Sequence, residues 1–223
     1  MSGIIFEFPK QAAFGRIVAK DKIYYHSSAS TKIKRKFIDE VDRIIWSYKL
    51  SPETVNLPAK YGVNEIQVFT ILFKNEEYST EILEAIDKAI PSPIIFQLKY
   101  KGKVSTMASY KRQSEADKSK WVFSSHFGSQ EFIDHSKVKK MKLPVAIDMS
   151  TLYHKLLIQL LPIPSRENES IQDLINRYET VRSKEREALK LETKVKREQQ
   201  FNRKVDLNRS LNQLREEIEE YKC

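Results

Sequence analysis

From Ser170 to Tyr221 the chain runs without a single proline or glycine, and the stretch is rich in Glu, Lys, Arg and Leu. Such residues lose little rotamer freedom in a helix, and nothing among them breaks one, so the segment is a long helix or a helical hairpin. Ile171, Leu174, Tyr178, Val181, Ala188 and Val195 recur at alternating three- and four-residue steps, interrupted by Glu185 and Glu192. Leu207, Leu211, Leu214, Ile218 and Tyr221 do the same in a shifted register. The break near Gln200–Asp206 fits either a turn between two antiparallel helices or a stutter in one coiled-coil helix. A polar helix with a narrow apolar seam is poorly stabilised alone. The seam must therefore meet the same chain's other half, a second copy or a partner. Phe201, Val205, Leu207, Leu211, Leu214 and Ile218 are the candidate partner-binding residues.

Pro162 and Pro164 divide this arm, over 165–223, from a body over 1–161. Ser30 or Thr31 caps a helix expected to run to about Tyr48, because Ile33, Phe37, Ile38, Val41, Ile44, Ile45 and Tyr48 recur at helical spacing before Pro52. A short strand is expected at Lys22–Tyr25. Glu65–Lys74 alternates as a strand, with Gln67, Phe69 and Ile71 on one face. Thr80–Ile90 reads as a helix, Ile94–Tyr100 and Lys103–Tyr110 as a hairpin around Lys101-Gly102, Trp121–Phe127 as a further strand, and Met149–Leu161 as an apolar helix. The order predicts an α+β domain, a two-layer, mainly antiparallel sheet covered by helices, followed by the helical arm.

Charge separates the two parts. The chain carries 39 Lys/Arg and 30 Asp/Glu, a net of +9. From Arg166 onward there are 14 basic and 13 acidic residues, leaving 25 and 17 for the body, a net of +8. A basic body favours polyanionic partners, nucleic acid above all. Its clusters are Lys32/Lys34/Arg35/Lys36, Lys99/Lys101/Lys103, Lys111/Arg112 and Lys137/Lys139/Lys140/Lys142. Lys34, Arg35, Lys101, Lys103, Lys139 and Lys140 are the candidate phosphate contacts. No base-reading motif accompanies them. The only cysteine is Cys223, so no internal disulfide can form. With neither a basic-then-apolar leader nor a bilayer-length apolar run, the expected location is cytoplasmic, away from membranes.

The run Ile44-Ile45-Trp46-Ser47-Tyr48-Lys49-Leu50-Ser51-Pro52-Glu53-Thr54-Val55-Asn56, then Glu65-Ile66-Gln67-Val68-Phe69 and Ile86-Asp87-Lys88-Ala89-Ile90-Pro91, resembles a bacterial and archaeal domain-of-unknown-function family, number forty-three ninety-one in that series. Phe8-Pro9-Lys10, Ile23-Tyr24-Tyr25 and Gln200–Asn208 fit its two ends. The resemblance transfers no activity to any residue. It implies a setting in restriction-like, phage-defence loci beside helicases and DNA methyltransferases, which are therefore candidate partners.

Catalytic signals are sparse. His26, His126, His135 and His154 lie in separate segments, and no HExxH, GxxxxGK[ST], GxGxxG or GxSxG occurs, so neither metal nor cofactor is expected. One enzyme reading remains. Metal-dependent nucleases place a carboxylate on one strand and a Glu/Gln-x-Lys pair on the next, which Glu65, Gln97 and Lys99 resemble, with Gln97 unable to supply a carboxylate. The alternative for Gln97 and Lys99 is the solvated face of a strand whose Phe96, Leu98 and Tyr100 turn inward. Trp46 beside Lys49 invites base stacking, but its place in an apolar stripe favours packing, with a hydrogen bond for the indole. The expected function is a non-catalytic adaptor or accessory subunit, with a divergent nuclease as the alternative.

Overall fold

The computed structural model of the chain describes residues 4–117, 120–129 and 131–223. They form two compact units, Met1–Pro162 and Ile163–Cys223. The first contains β1 (Ile4–Glu7), β2 (Ala13–Ile17), α1 (Lys20–Ser27), α2 (Thr31–Glu40), β3 (Val41–Leu50), α3 (Pro52–Val55), β4 (Ile66–Phe73), α4 (Glu81–Ala89), β5 (Ile94–Tyr100) and β6 (Lys103–Ala108). It continues with β7 (Lys111–Gln113), β8 (Trp121–Phe123), β9 (Phe127–Gly128), β10 (Ile133–Asp134), β11 (Lys139–Lys142) and α5 (Met149–Leu160). The class is α+β, and the sheet is mostly antiparallel.

Its main sheet has seven strands in the order β10-β6-β5-β4-β3-β2, with β9 also on β6. Only β4 and β5 run parallel in it, joined by α4 as a parallel pair requires a crossover. The pleat turns Phe69, Ile71 and Phe73 of β4 with Phe96 and Leu98 of β5 to one face. There they join Ile82, Leu83 and Ile86 of α4, Phe37 of α2 and Ile23 of α1 in a single core. At the β5–β6 turn Lys101 and Gly102 both have positive φ, 41° and 80°, which fits the right-handed twist of the flanking strands.

Three expectations are corrected. The helix capped by Ser30, whose hydroxyl accepts from Ile33 N–H, ends at Glu40, and Val41–Leu50 is a strand instead. Register shifts between Val41 and Arg43 and between Trp46 and Tyr48 account for the helix-like spacing. Bulges interrupt a strand's two-residue alternation, so its apolar residues fall at helix-like intervals. Lys20 marks the changeover, its Nζ donating to the Phe37 and Val41 carbonyls at 3.0 and 2.5 Å. Lys22–Tyr25 lies in helix α1, not a strand. Burial of Ile23 and the edge-on packing of Tyr24 against Phe37, centroids 5.4 Å apart, override its local preference. The strand expected over Trp121–Phe127 is split into β8 and β9.

The second unit is a hairpin of α6 (Ile171–Arg197) and α7 (Phe201–Lys222). Ser170 caps α6 by accepting from Asp173 N–H. Val181 and Ala188 meet Leu211, Leu214 and Ile218 in one apolar cluster. The seam is thus closed by the chain's own other half.

Candidate functional site

A cavity of about 490 Å³ opens between β2, α1, the start of β4 and the α4–β5 connection. Phe14, Trp46 and Phe69 line it, with Gln67, Glu65, Arg16, Lys22 and His26. The sheet places these groups together. Trp46 pairs across β3–β4 with Phe69, and Gln67 lies two residues along β4 on the same face. Trp46 stacks on Phe69 at 6.0 Å between centroids and meets Phe14 at 4.1 Å. Arg16 lies over the Phe14 ring at 4.6 Å. Glu65 is already engaged, by Lys49 at 2.7 Å and by the Ser92 hydroxyl at 3.0 Å. Two of the lining side chains each bury a polar atom that has no hydrogen-bond partner, Trp46 Nε1 and Gln67 Oε1. The bond expected to satisfy the indole is not made.

The family described as Domain of unknown function (DUF4391) matches residues 6–218. The chain belongs to that family. No curated protein and no solved structure matches it.

In this DUF4391 chain the residues of the nuclease reading are dispersed. Gln97 sits beside Thr70, whose hydroxyl donates to its Oε1 at 3.2 Å, and Lys99 is exposed beside Leu72. Leu72 lies seven residues beyond Glu65, about 23 Å along a strand. Gln97 and Lys99 therefore share a face, while Glu65 belongs to the cavity.

The basic candidates lie on α2, the β5–β6 hairpin and β11. Lys34 and Arg35 are exposed on α2, Lys101 on the β5–β6 turn, and Lys139 and Lys140 on β11. Lys103 is paired with Glu76 at 2.6 Å, and Lys36 with Glu81. Lys111 is no surface cation: only 1% of it is exposed. Its ammonium lies 3.5 Å from Asp87 Oδ1 and donates to the carbonyls of Asp87 and Ile90. Burial lowers its pKa, while Asp87 works against that. Asp87 Oδ2 accepts from the Ser109 hydroxyl at 2.8 Å and lies 2.8 Å from His126 Nε2. Tyr153 OH donates to the Ser109 carbonyl and accepts from Lys111 N–H, both at 2.8 Å. Ser109 and His126 meet the same carboxylate oxygen, so the trio lacks the relay order of a hydrolytic triad. Together with Lys111 and Tyr153 it fastens α4, the β6–β7 connection, β7 and α5 to one another.

Of the six arm candidates, Leu211, Leu214 and Ile218 are consumed in the hairpin, Leu207 is half-buried, and Phe201 and Val205 remain exposed. Among the described residues no cluster of three or more His, Cys, Asp or Glu is placed to hold a metal ion, and no helix is long and apolar enough to cross a membrane.

Proposed function

We propose that the protein is a non-catalytic accessory subunit that docks a protein partner through the turn end of its helical arm, its basic body lying near nucleic acid. The carrying observation is Phe201, 77% exposed on a hairpin whose apolar seam is already closed. Val205, one turn later on the same side, is 41% exposed. An aromatic and an aliphatic residue at i and i+4 are the anchors that a helix offers to a partner's groove. The +8 excess of the body and the exposed Lys34, Arg35, Lys101, Lys139 and Lys140 support phosphate contact. The register that parts Glu65 from Lys99 favours this reading over a nuclease. The partner class suggested by the family resemblance is a helicase or DNA methyltransferase.

The test is co-purification from the native host, before and after nuclease treatment, with the wild-type chain and with Phe201→Asp/Val205→Asp, whose changes fall on exposed positions. A helicase or methyltransferase that survives nuclease treatment with the wild-type chain and is lost with the variant is the expected result. Equal retention by the variant, or recovery of nucleic acid alone, sinks the docking role.

A further inference from the structure

We infer that the cavity between Trp46, Gln67 and Phe14 binds a nucleotide, a nucleobase carrying a phosphate. This inference rests on the body alone and is independent of the arm's docking role.

Gln67 is 2% exposed, and its Oε1 makes no hydrogen bond. A buried acceptor without a partner costs stability, as does a buried donor such as Trp46 Nε1. Both side chains belong to the lining of one cavity, and an occupant that supplies a donor and an acceptor as the two side chains turn toward it satisfies both atoms. The remaining lining narrows its chemistry. The wall is aromatic, from Phe14, Trp46 and Phe69, which suits a flat ring. The charge is cationic, because Arg16 and Lys22 are on the lining while the Glu65 carboxylate is matched by Lys49. A planar heterocycle with an anionic substituent satisfies all four features. A cavity of about 490 Å³ falls within the size range of small-molecule sites.

Specificity follows from the two orphan atoms. Gln67 Oε1 accepts from an exocyclic amino group, and Trp46 Nε1–H donates to the neighbouring ring nitrogen. Adenine and cytosine present that pair of groups side by side. Uracil presents a carbonyl where the amine should be and leaves Gln67 unsatisfied.

The test is a titration of the full chain with adenosine, cytidine and uridine 5′-monophosphates, read by tryptophan fluorescence and repeated by calorimetry. Trp46→Phe removes the responding indole and leaves Trp121 as control. The amine-bearing nucleotides are expected to bind at least about tenfold tighter than uridine monophosphate, and tighter than adenosine without its phosphate, by about the same factor. Gln67→Leu erases the base preference. Arg16→Ala, at an exposed position, removes the phosphate advantage without touching the core. A 5′-phosphorylated oligodeoxyadenylate distinguishes the sources: tighter binding than the mononucleotide assigns the site to a strand end, weaker binding to a free nucleotide. Absence of binding by all probes at millimolar concentration overturns the inference. So does an Arg16→Ala chain that binds adenosine monophosphate as the wild type does.

Discussion

Arg177 grips Glu169 with two prongs of its guanidinium, Nε 2.7 Å from Oε1 and Nη2 2.8 Å from Oε2. The same side chain donates to the Tyr221 carbonyl near the end of α7 and to the Pro164 carbonyl before α6, each at 2.6 Å. One residue thus ties the open end of the hairpin to both of its chain ends. Arg177→Ala leaves the half-enclosed Glu169 carboxylate and two carbonyls unpaired, a loss of roughly 3 kcal/mol. Hydrogen exchange of α7 amides in the full chain should accelerate by about a hundredfold.

The same pair makes the arm acid-sensitive. Arg177 holds the Glu169 carboxyl down at about 2, against an ordinary 4.5. Its contribution is complete above the ordinary value and is lost as pH falls from about 4.5 toward about 2. Glu169→Gln should flatten α7 protection across that window, and an unchanged acid profile would refute the role.

Gly128 is fixed by the strand beside it. Its φ is +133°, and a Cβ there would clash with the Thr106 carbonyl oxygen. Gly128→Ala must push β9 off β6, at a cost of roughly 3 kcal/mol. Thermal unfolding should show a midpoint lower by several degrees, whereas Gly15→Ala, with nothing within 4 Å of its Cβ, pays only for its φ of +67°.

Gln67 marks how far local pattern reaches. Alternation along Glu65–Lys74 was enough to place Gln67, Phe69 and Ile71 on one face, and the buried Phe69 and Ile71 show that this face turns inward. A glutamine on that face was the available sign of a site. Its companions were not legible, because Phe14 and Arg16 reach it through strand pairing that no local period encodes. Likewise, β3 passed for helix because bulges spoiled its alternation. Lys111 passed for surface because lysine is seldom buried, and its counter-ion Asp87 arrives from a different element. Short-range periodicity carried the α4 helix, the β5–β6 hairpin and the arm. Features set by pairing between distant segments lay beyond it.

His154 on α5 adds a second pH response nearer neutrality. Burial lowers its pKa below the ordinary 6.5, with Asp148 opposing the shift. The unfolded chain then binds the proton first, so stability is complete above 6.5 and declines as pH falls from there toward the lowered value. His154→Gln should remove this decline from the unfolding midpoint of the body between neutrality and mild acid. A wild-type midpoint flat over that range would refute it.

The buried Asp87–Lys111 pair yields the most discriminating experiment. Asp87→Asn keeps the shape of the side chain but leaves the Lys111 ammonium enclosed without a counter-charge, a loss of roughly 3 kcal/mol in urea unfolding. Lys111→Met removes the cation instead, and Asp87 keeps Ser109 and His126 as partners, so a smaller loss is expected. The double variant should be more stable than the sum of the two losses implies, because neither leftover charge remains. Additive losses would mean that the pair does not act as a unit, and that the two carbonyls of α4 and its connection, rather than the carboxylate, hold Lys111 in place.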